Sequence, residues 1–337
     1  MPVATRDQKT RFPGSPDLDP VASRDGETWG TVRTELHPNY RMVWIEIGFA
    51  YAMIVSGFTA MCALNAYFGN WPALIAVPFV AVWIGYWLVS LGGFIHEAAH
   101  FNLARDPGTN DLLAAWFVYP LYPLDVKAYR KSHWSHHLHL GDPEDTEISY
   151  HNRPTLGLLL QSVTGIYSLR VLLRYASGPP SKNVETPKRS SNNQSKALVA
   201  FLRAATLHGA IVIGTAWAGW YAAALCWVVA QLTINQTLAM IRQMLEHRSA
   251  DALDGVDYRQ VSHGPINRMF GVDFLSRKFG SAGFNRHLLH HWDPTISYTC
   301  FDEMERFFLK TDLADEIESS RTTYLQALRS LMKNRDG

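Results

Sequence analysis

The sequence predicts an all-α integral membrane protein: four transmembrane helices, paired as two hairpins, under a cytosolic helical cap that holds clustered histidines. Three observations predict it. The apolar residues gather in two blocks, 43–95 and 197–240, instead of spreading along the 337-residue chain. Each block is divided by a short turn that carries no charge. The histidines concentrate in the polar segments on one side of both blocks.

Residues 1–42 are polar and contain proline, with no apolar run of the signal-peptide kind, and read as an N-terminal tail. A membrane domain follows over 43–305. A span needs roughly 20 apolar residues at 1.5 Å rise each. The first block supplies two, 43–67 and 72–95, separated by Gly69-Asn70, with Glu46 as its single acid. The second block supplies 198–217 and 220–240, which meet at Trp217-Ala218-Gly219-Trp220. Arg203, near the start of the third span, can reach the interface along its aliphatic stem. His208 lies deeper and is expected to hydrogen-bond a neighbouring helix.

The segments 1–42, 104–153, 177–197 and 241–337 carry nearly all the Lys and Arg, whereas both far-side turns carry none. The positive-inside rule then puts both termini and the histidines in the cytoplasm, in a multi-pass topology. The stretch 111–124 is too short to span and, with its Trp and Tyr, suits an interfacial or re-entrant piece. Residues 155–176 set an apolar face against Arg170 and Arg174, as a helix lying on the membrane or an amphipathic core helix does. Residues 177–197 have the composition of a mobile linker, and 306–337 read as a C-terminal cytosolic helical tail. A net charge of +1 gives no broad basic surface for nucleic acid. Cys62, Cys226 and Cys300 are far apart and form no CxxC, which argues against a disulfide framework or a thiolate zinc site.

The stretch HWSHHLHLGDPEDTE holds four histidines and four acidic residues. His133, His136 and His137 stand at i, i+3 and i+4, on one helical face. His287, His290 and His291 in HLLHH repeat that spacing, and His96 and His100 in HEAAH stand at i and i+4. His247 follows the last span. A lone HxxxH is weak evidence, but three such clusters on one side of the membrane are not. Eight or nine imidazoles exceed what one four- to six-coordinate ion needs, so the count favours two metals. The acids beside them have a use: a metal-bound imidazole donates its other N–H to a carboxylate or carbonyl. Glu97, Asp142, Glu144, Asp145, Glu147 and Asp293 are the candidates, some of them simply solvating the turn at Pro143.

HEAAH, then HWSHH, then HLLHH, interleaved with four spans, closely resembles the membrane fatty acid desaturase and hydroxylase superfamily, whose members are three-histidine-box non-haem diiron proteins. The likeness covers roughly 43–305 and includes the GDPEDTE tail and the run NRHLLHHWDPTISY. It implies two iron ions, O2 as co-substrate, and the metal ligands His96, His100, His133, His136, His137, His247, His287, His290 and His291. Certain relatives place an Asn four residues before the isolated histidine, reaching iron through water; here that residue is Gln243. Glu246 is an alternative oxygen donor or a base behind the ligands. His139 falls just outside its cluster and is expected to be solvated; His37, His151 and His263 match no motif.

Unactivated C–H bonds are too strong for acid–base chemistry, and redox-inert zinc cannot make the oxidant required, which selects iron. O2 and apolar substrates both partition into the bilayer, so a lipid-like substrate can enter between spans, with Trp83, Tyr86 and Trp87 lining the path or anchoring the interface. The expected reaction is desaturation of a fatty acyl chain of a lipid or thioester. The alternative is hydroxylation or ketolation of a carotenoid, sphingolipid or specialised metabolite. A metal transporter or zinc hydrolase is a third reading, but a transporter would set its ionisable residues near the membrane midplane. No HPGG run, four-cysteine iron–sulfur pattern or helix-opening GxGxxG is present, so a separate ferredoxin or cytochrome with its reductase is expected to donate electrons. Lys127, Arg130 and Lys131 form a basic patch that suits an acidic donor or an anionic membrane surface.

Overall fold

The computed structural model describes residues 12–170, 191–271 and 273–333, with the backbone alone for 191–194. A short helix, α1 (Trp29–Glu35), leads into α2 (Tyr40–Phe68) and α3 (Asn70–Ala99), which meet at Gly69. Gly69 has φ +78°, a left-handed conformation open to a residue without Cβ, and α2 and α3 pack along each other from that one-residue turn. Next come α4 (Pro107–Phe117), α5 (Val126–His139) and α6 (Leu156–Val163). The helix α7 (Ser191–Trp217) turns at Gly219, φ +79°, into α8 (Tyr221–Val229). A π-helical turn, Ala230–Ile234, joins α8 to α9 (Asn235–His247). Four helical stretches are long and apolar enough to cross a membrane: Tyr40–Phe68, Asn70–Ala99, Ser195–Trp217 and Tyr221–His247.

The two turns fasten to each other. Asn65 Nδ2 donates to Asn70 Oδ1 (2.7 Å), and Asn70 Nδ2 to the Gly219 carbonyl (2.8 Å). The amides of Ala222 and Ala223 donate to Asn70 Oδ1 (3.1 Å) and Asn65 Oδ1 (2.8 Å), so side chains of the first helix pair satisfy the orphan amides that open α8. From there α3 runs as the central helix, burying Ile84, Leu88 and Leu91.

Beyond the apolar stretches the chain builds the histidine-bearing region. A parallel pair, β1 (Met269–Phe270) with β2 (Arg321–Thr322), ties it together. Between and after these strands lie α10 (Phe274–Phe279), α11 (His287–Trp292), α12 (Phe301–Phe308), α13 (Ala314–Ser320) and α14 (Tyr324–Met332). Residues 306–333 are not loose: Ala327 and Leu331 bury against Leu245 and Phe270. Nor are residues 12–39, where Trp29 is fully buried against Phe307 and Phe308.

The helices overrun the apolar segments read from sequence, because α3 and α9 continue past the apolar part to carry His96 and His247. Residues 191–197, read as linker, are the first turns of α7; the rest of that stretch, and 171–176 with Arg174, lie outside the described residues. The basic patch needs correction. Lys127 and Lys131 are exposed, but Arg130 is buried and paired with Asp111. The 111–124 piece forms α4 and a tight turn whose Tyr119 and Tyr122 hydroxyls donate to the carbonyls of Ile95 and Leu88 on α3. His208 meets the Leu121 carbonyl (3.1 Å) and accepts from Trp227 Nε1 (3.1 Å).

Candidate metal centre

The last turn of α3 presents His96 and His100, and Arg130 brings α5 onto it. Arg130 Nε donates to the Ala99 carbonyl (2.9 Å) and its NH2 to Ala98 (2.8 Å), filling carbonyls that a helix end leaves open. Asp111 grips the same guanidinium with both oxygens. Asp125 starts α5 by accepting the Ala128 amide (2.9 Å), and the i, i+3, i+4 spacing then aims His133, His136 and His137 at α3. The short α11 delivers His287, His290 and His291, and the end of α9 delivers His247.

All nine histidines are buried, and their ring nitrogens converge in adjoining groups. His96, His100, His133, His137 and His290 place donor atoms within 4.8 Å of one another. His136, His247 and His291 form a second group; His247 and His287 share a third with Glu246. Facing Nε2 atoms lie 2.8 Å (His96–His290), 3.1 Å (His133–His137), 3.0 Å (His137–His290) and 2.9 Å (His247–His287) apart. Ligands at right angles on metal–nitrogen bonds of about 2.0–2.1 Å stand about 3 Å apart, so these spacings suit a metal's coordination shell. The donor set fits as well. Both ring nitrogens of His100 and His291 are buried with no hydrogen-bond partner, as is Nδ1 of His137 and of His287. Burial and then neighbouring imidazoles hold His100, His137, His287, His290 and His291 well below the ordinary imidazole value, keeping them neutral, the form that binds metal.

Behind the nitrogens stands a row of acceptors on Nδ1. His96 Nδ1 pairs with Glu97 Oε1 (3.0 Å), His133 Nδ1 with Glu147 Oε1 (2.8 Å), His136 Nδ1 with Asp145 (2.9 Å), and His247 Nδ1 with the Ile266 carbonyl (3.0 Å). Each acceptor keeps the proton on Nδ1 and turns the Nε2 lone pair inward. The acceptors are themselves held: Asn102 donates to Glu97 (3.0 Å), Tyr150 to Asp145 (2.6 Å), and Gln243 Nε2 to Glu147 Oε2 (2.8 Å). Burial opposes charge on both His136 and Glu147, but their attraction outweighs it. His136 is raised by Glu147 and Asp145, and Glu147 is pulled well below the usual carboxylate range by His136 and His133.

Asp142, Glu144 and Asp293 face elsewhere, whereas Glu246 stays beside the ligands. Asp142 accepts from Ser262 Oγ (2.9 Å), and Glu144 is exposed. Asp293 accepts from Trp29 Nε1 (3.3 Å) and pairs with Arg33 Nε (3.1 Å), anchoring α1 instead of an imidazole. Glu246 is buried, with Oε2 3.9 Å from His287 Nε2 and Oε1 3.5 Å from Arg242 Nε. His139 is half-buried, His37 is exposed, and His151 and His263 stack beside Tyr150. Sequence reasoning missed Arg130 with Asp111, and Tyr150 behind Asp145. Neither pairing carries a motif.

Comparison with known proteins decides the family. The model of the fatty acid desaturase family matches residues 69–315, well over half of the chain and all nine histidines. The chain belongs to the fatty acid desaturase family. It is similar to the dihydrorhizobitoxine desaturase of Bradyrhizobium elkanii, 26% identical over 290 residues covering 79% of this chain and 74% of that one. With its four apolar helices, this desaturase-family chain is a membrane protein and a desaturase-like oxidoreductase.

Proposed function

We propose that the chain is an O2-dependent diiron oxidoreductase that desaturates a fatty acyl chain of a lipid or thioester, with both termini and the metal centre on the cytoplasmic side of two transmembrane hairpins. The observation that carries it is the convergence of the ring nitrogens of nine buried histidines into adjoining groups. His96, His100, His133, His137 and His290 would hold one ion, and His136, His247, His287 and His291 the other. With O2 and two electrons, an iron pair bound there supplies an oxidant strong enough to take hydrogen from an unactivated C–H bond.

The residues of the chain do the rest. Glu97, Asp145, Glu147 and the Ile266 carbonyl hold protons at Nδ1, and Gln243 and Tyr150 keep two of those carboxylates in place. Burial of every ligand excludes water that would compete for the metal or quench the oxidant. The substrate reaches the site from the bilayer, and electrons come from a separate ferredoxin or cytochrome with its reductase. The desaturase name of that relative favours loss of two hydrogens over insertion of oxygen.

The test is untargeted mass spectrometry of lipids and apolar metabolites in cells supplied with an electron donor, comparing the native chain with His137→Ala. A species two hydrogens lighter, seen with the native chain alone, supports the proposal. A species one oxygen heavier replaces desaturation by hydroxylation on the same centre. Identical profiles with each of several donors count against both.

A further inference from the structure

Resting on the membrane placement above, we infer that α10 dips into the leaflet on the metal-centre side and binds anionic phospholipid there, with the Phe274 and Leu275 side chains among the acyl chains and the Arg277 and Lys278 charges reaching up to the headgroups. The first observation is depth. Tyr86 OH donates to the Lys278 carbonyl (2.8 Å), pinning the end of α10 to the middle of α3. Fifteen residues separate Tyr86 from the exposed Trp71 at the far end of α3, a rise of about 22 Å. That is short of the roughly 30 Å of a hydrocarbon core. His96 lies ten residues further on, about 37 Å from Trp71 and clear of that core. From Lys278 the chain climbs along α3, and by Ala282 it touches Gly93, where an added Cβ would lie 3.1 Å from Ala282 Cβ. The segment therefore runs beside a membrane-crossing helix from lipid depth up to the metal centre.

The second observation is continuity. Along α3, Ile75, Phe79 and Val82 form an exposed apolar stripe at helical spacing, and Tyr86 is its next member. At that point α10 covers the stripe and turns its own Phe274 and Leu275 outward, each 74% exposed. Two adjacent, fully presented apolar side chains that extend a lipid-facing stripe are better placed in acyl chains than in water.

The third is charge. Arg277 and Lys278, in the last turn of α10, are exposed. Lys278 Nζ lies over the Phe274 ring at 5.9 Å, so a cation is held at the edge of the apolar pair. Long basic side chains beside apolar ones let the charge rise to the headgroup layer while the stem stays in lipid. Asp273, exposed at the cap of the same helix, offsets one of the two cations, and the remaining net positive charge favours anionic over zwitterionic phospholipid.

The test uses the full-length protein in nanodiscs of phosphatidylcholine with phosphatidylglycerol, carrying photoreactive p-benzoylphenylalanine at Phe274 or, as a reference, at Phe79. After irradiation, intact-mass spectrometry reads the adducts. Both positions should capture phospholipid, and the Phe274 position should favour phosphatidylglycerol about fivefold over the Phe79 position. Arg277→Gln with Lys278→Gln should remove that preference and keep lipid capture. Lipid adducts at Phe79 but none at Phe274 would overturn the inference and leave the membrane placement standing. Adducts at neither would overturn the placement itself. Capture at Phe274 without headgroup preference would overturn the anionic-lipid assignment. Gel filtration and thermal melting matching the native protein confirm that each variant is folded.

Discussion

HWSHH and HLLHH have the same spacing and are held in place by opposite means. HWSHH sits on the fourteen-residue α5, and two of its rings lean on carboxylates downstream, His133 on Glu147 fourteen residues on and His136 on Asp145 nine residues on. HLLHH sits on the six-residue α11, and among the described residues no carboxylate lies within 3.5 Å of its ring nitrogens. Its rings face other imidazoles, and its backbone is clamped from afar. Ser15 Oγ donates to the His291 carbonyl (2.9 Å), the Leu288 amide donates to the Arg268 carbonyl (3.1 Å), and Asp293 is gripped by Arg33 and Trp29. One cluster is oriented through side chains, the other through the chain that carries it.

The strongest test of the comparison is to remove one ligand from each side. His137→Ala and His290→Ala should each abolish turnover while the protein still reaches the membrane, because both rings belong to the same five-imidazole group. Turnover assays on membranes with matched protein content decide it; substantial activity in both variants would sink the ligand assignment.

Next in size are the supports, where the two clusters should part. Asp145→Asn takes the negative charge from the acceptor on His136 Nδ1 and should weaken iron retention by about 10–100-fold, read by metal analysis after dialysis against a chelator. Asp293→Asn should cost far less iron and more stability, since Asp293 holds α1 and not a ring. Equal iron loss in the two variants would erase the distinction. Trp29→Ala sharpens it from the other end: emptying a fully buried indole site should cost about 3–5 kcal/mol, seen as a lowered melting temperature in detergent. A loss confined to iron, with melting unchanged, would mean that the N-terminal segment supports the ligands directly.

The same division explains what could be read from the sequence. The four apolar stretches, the uncharged turns and the nine histidines were legible because hydropathy and helical period are local signals. So were Glu97, Asp145 and Glu147, which sit within fourteen residues of the rings they serve. Arg130 with Asp111, Gln243 with Glu147, and Asp293 with Arg33 were not, because nothing in a helical period says which distant segment will face it. Arg130 read as part of a surface patch for that reason. Its neighbours Lys127 and Lys131 do face solvent, and only the fold shows that its guanidinium is spent on the end of α3.

The smallest expected effect tests how far the remote clamp on HLLHH extends. Tyr298, seven residues past His291, donates to Glu46 Oε2 (2.8 Å), linking the chain after that cluster to α2. Glu46→Gln keeps an oxygen that can accept this hydrogen bond, and one such bond contributes about 0.5–1.5 kcal/mol. The variant should therefore keep its iron, and turnover should stay within about threefold of native, the change expected for part of one hydrogen bond. Glu46→Leu removes the acceptor and should lower the melting temperature by more, still without loss of iron. If Glu46→Gln released iron as Asp145→Asn does, α2 would belong to the set of supports. The contrast between a cluster held by side chains and one held by its backbone would then fail at its most distant contact.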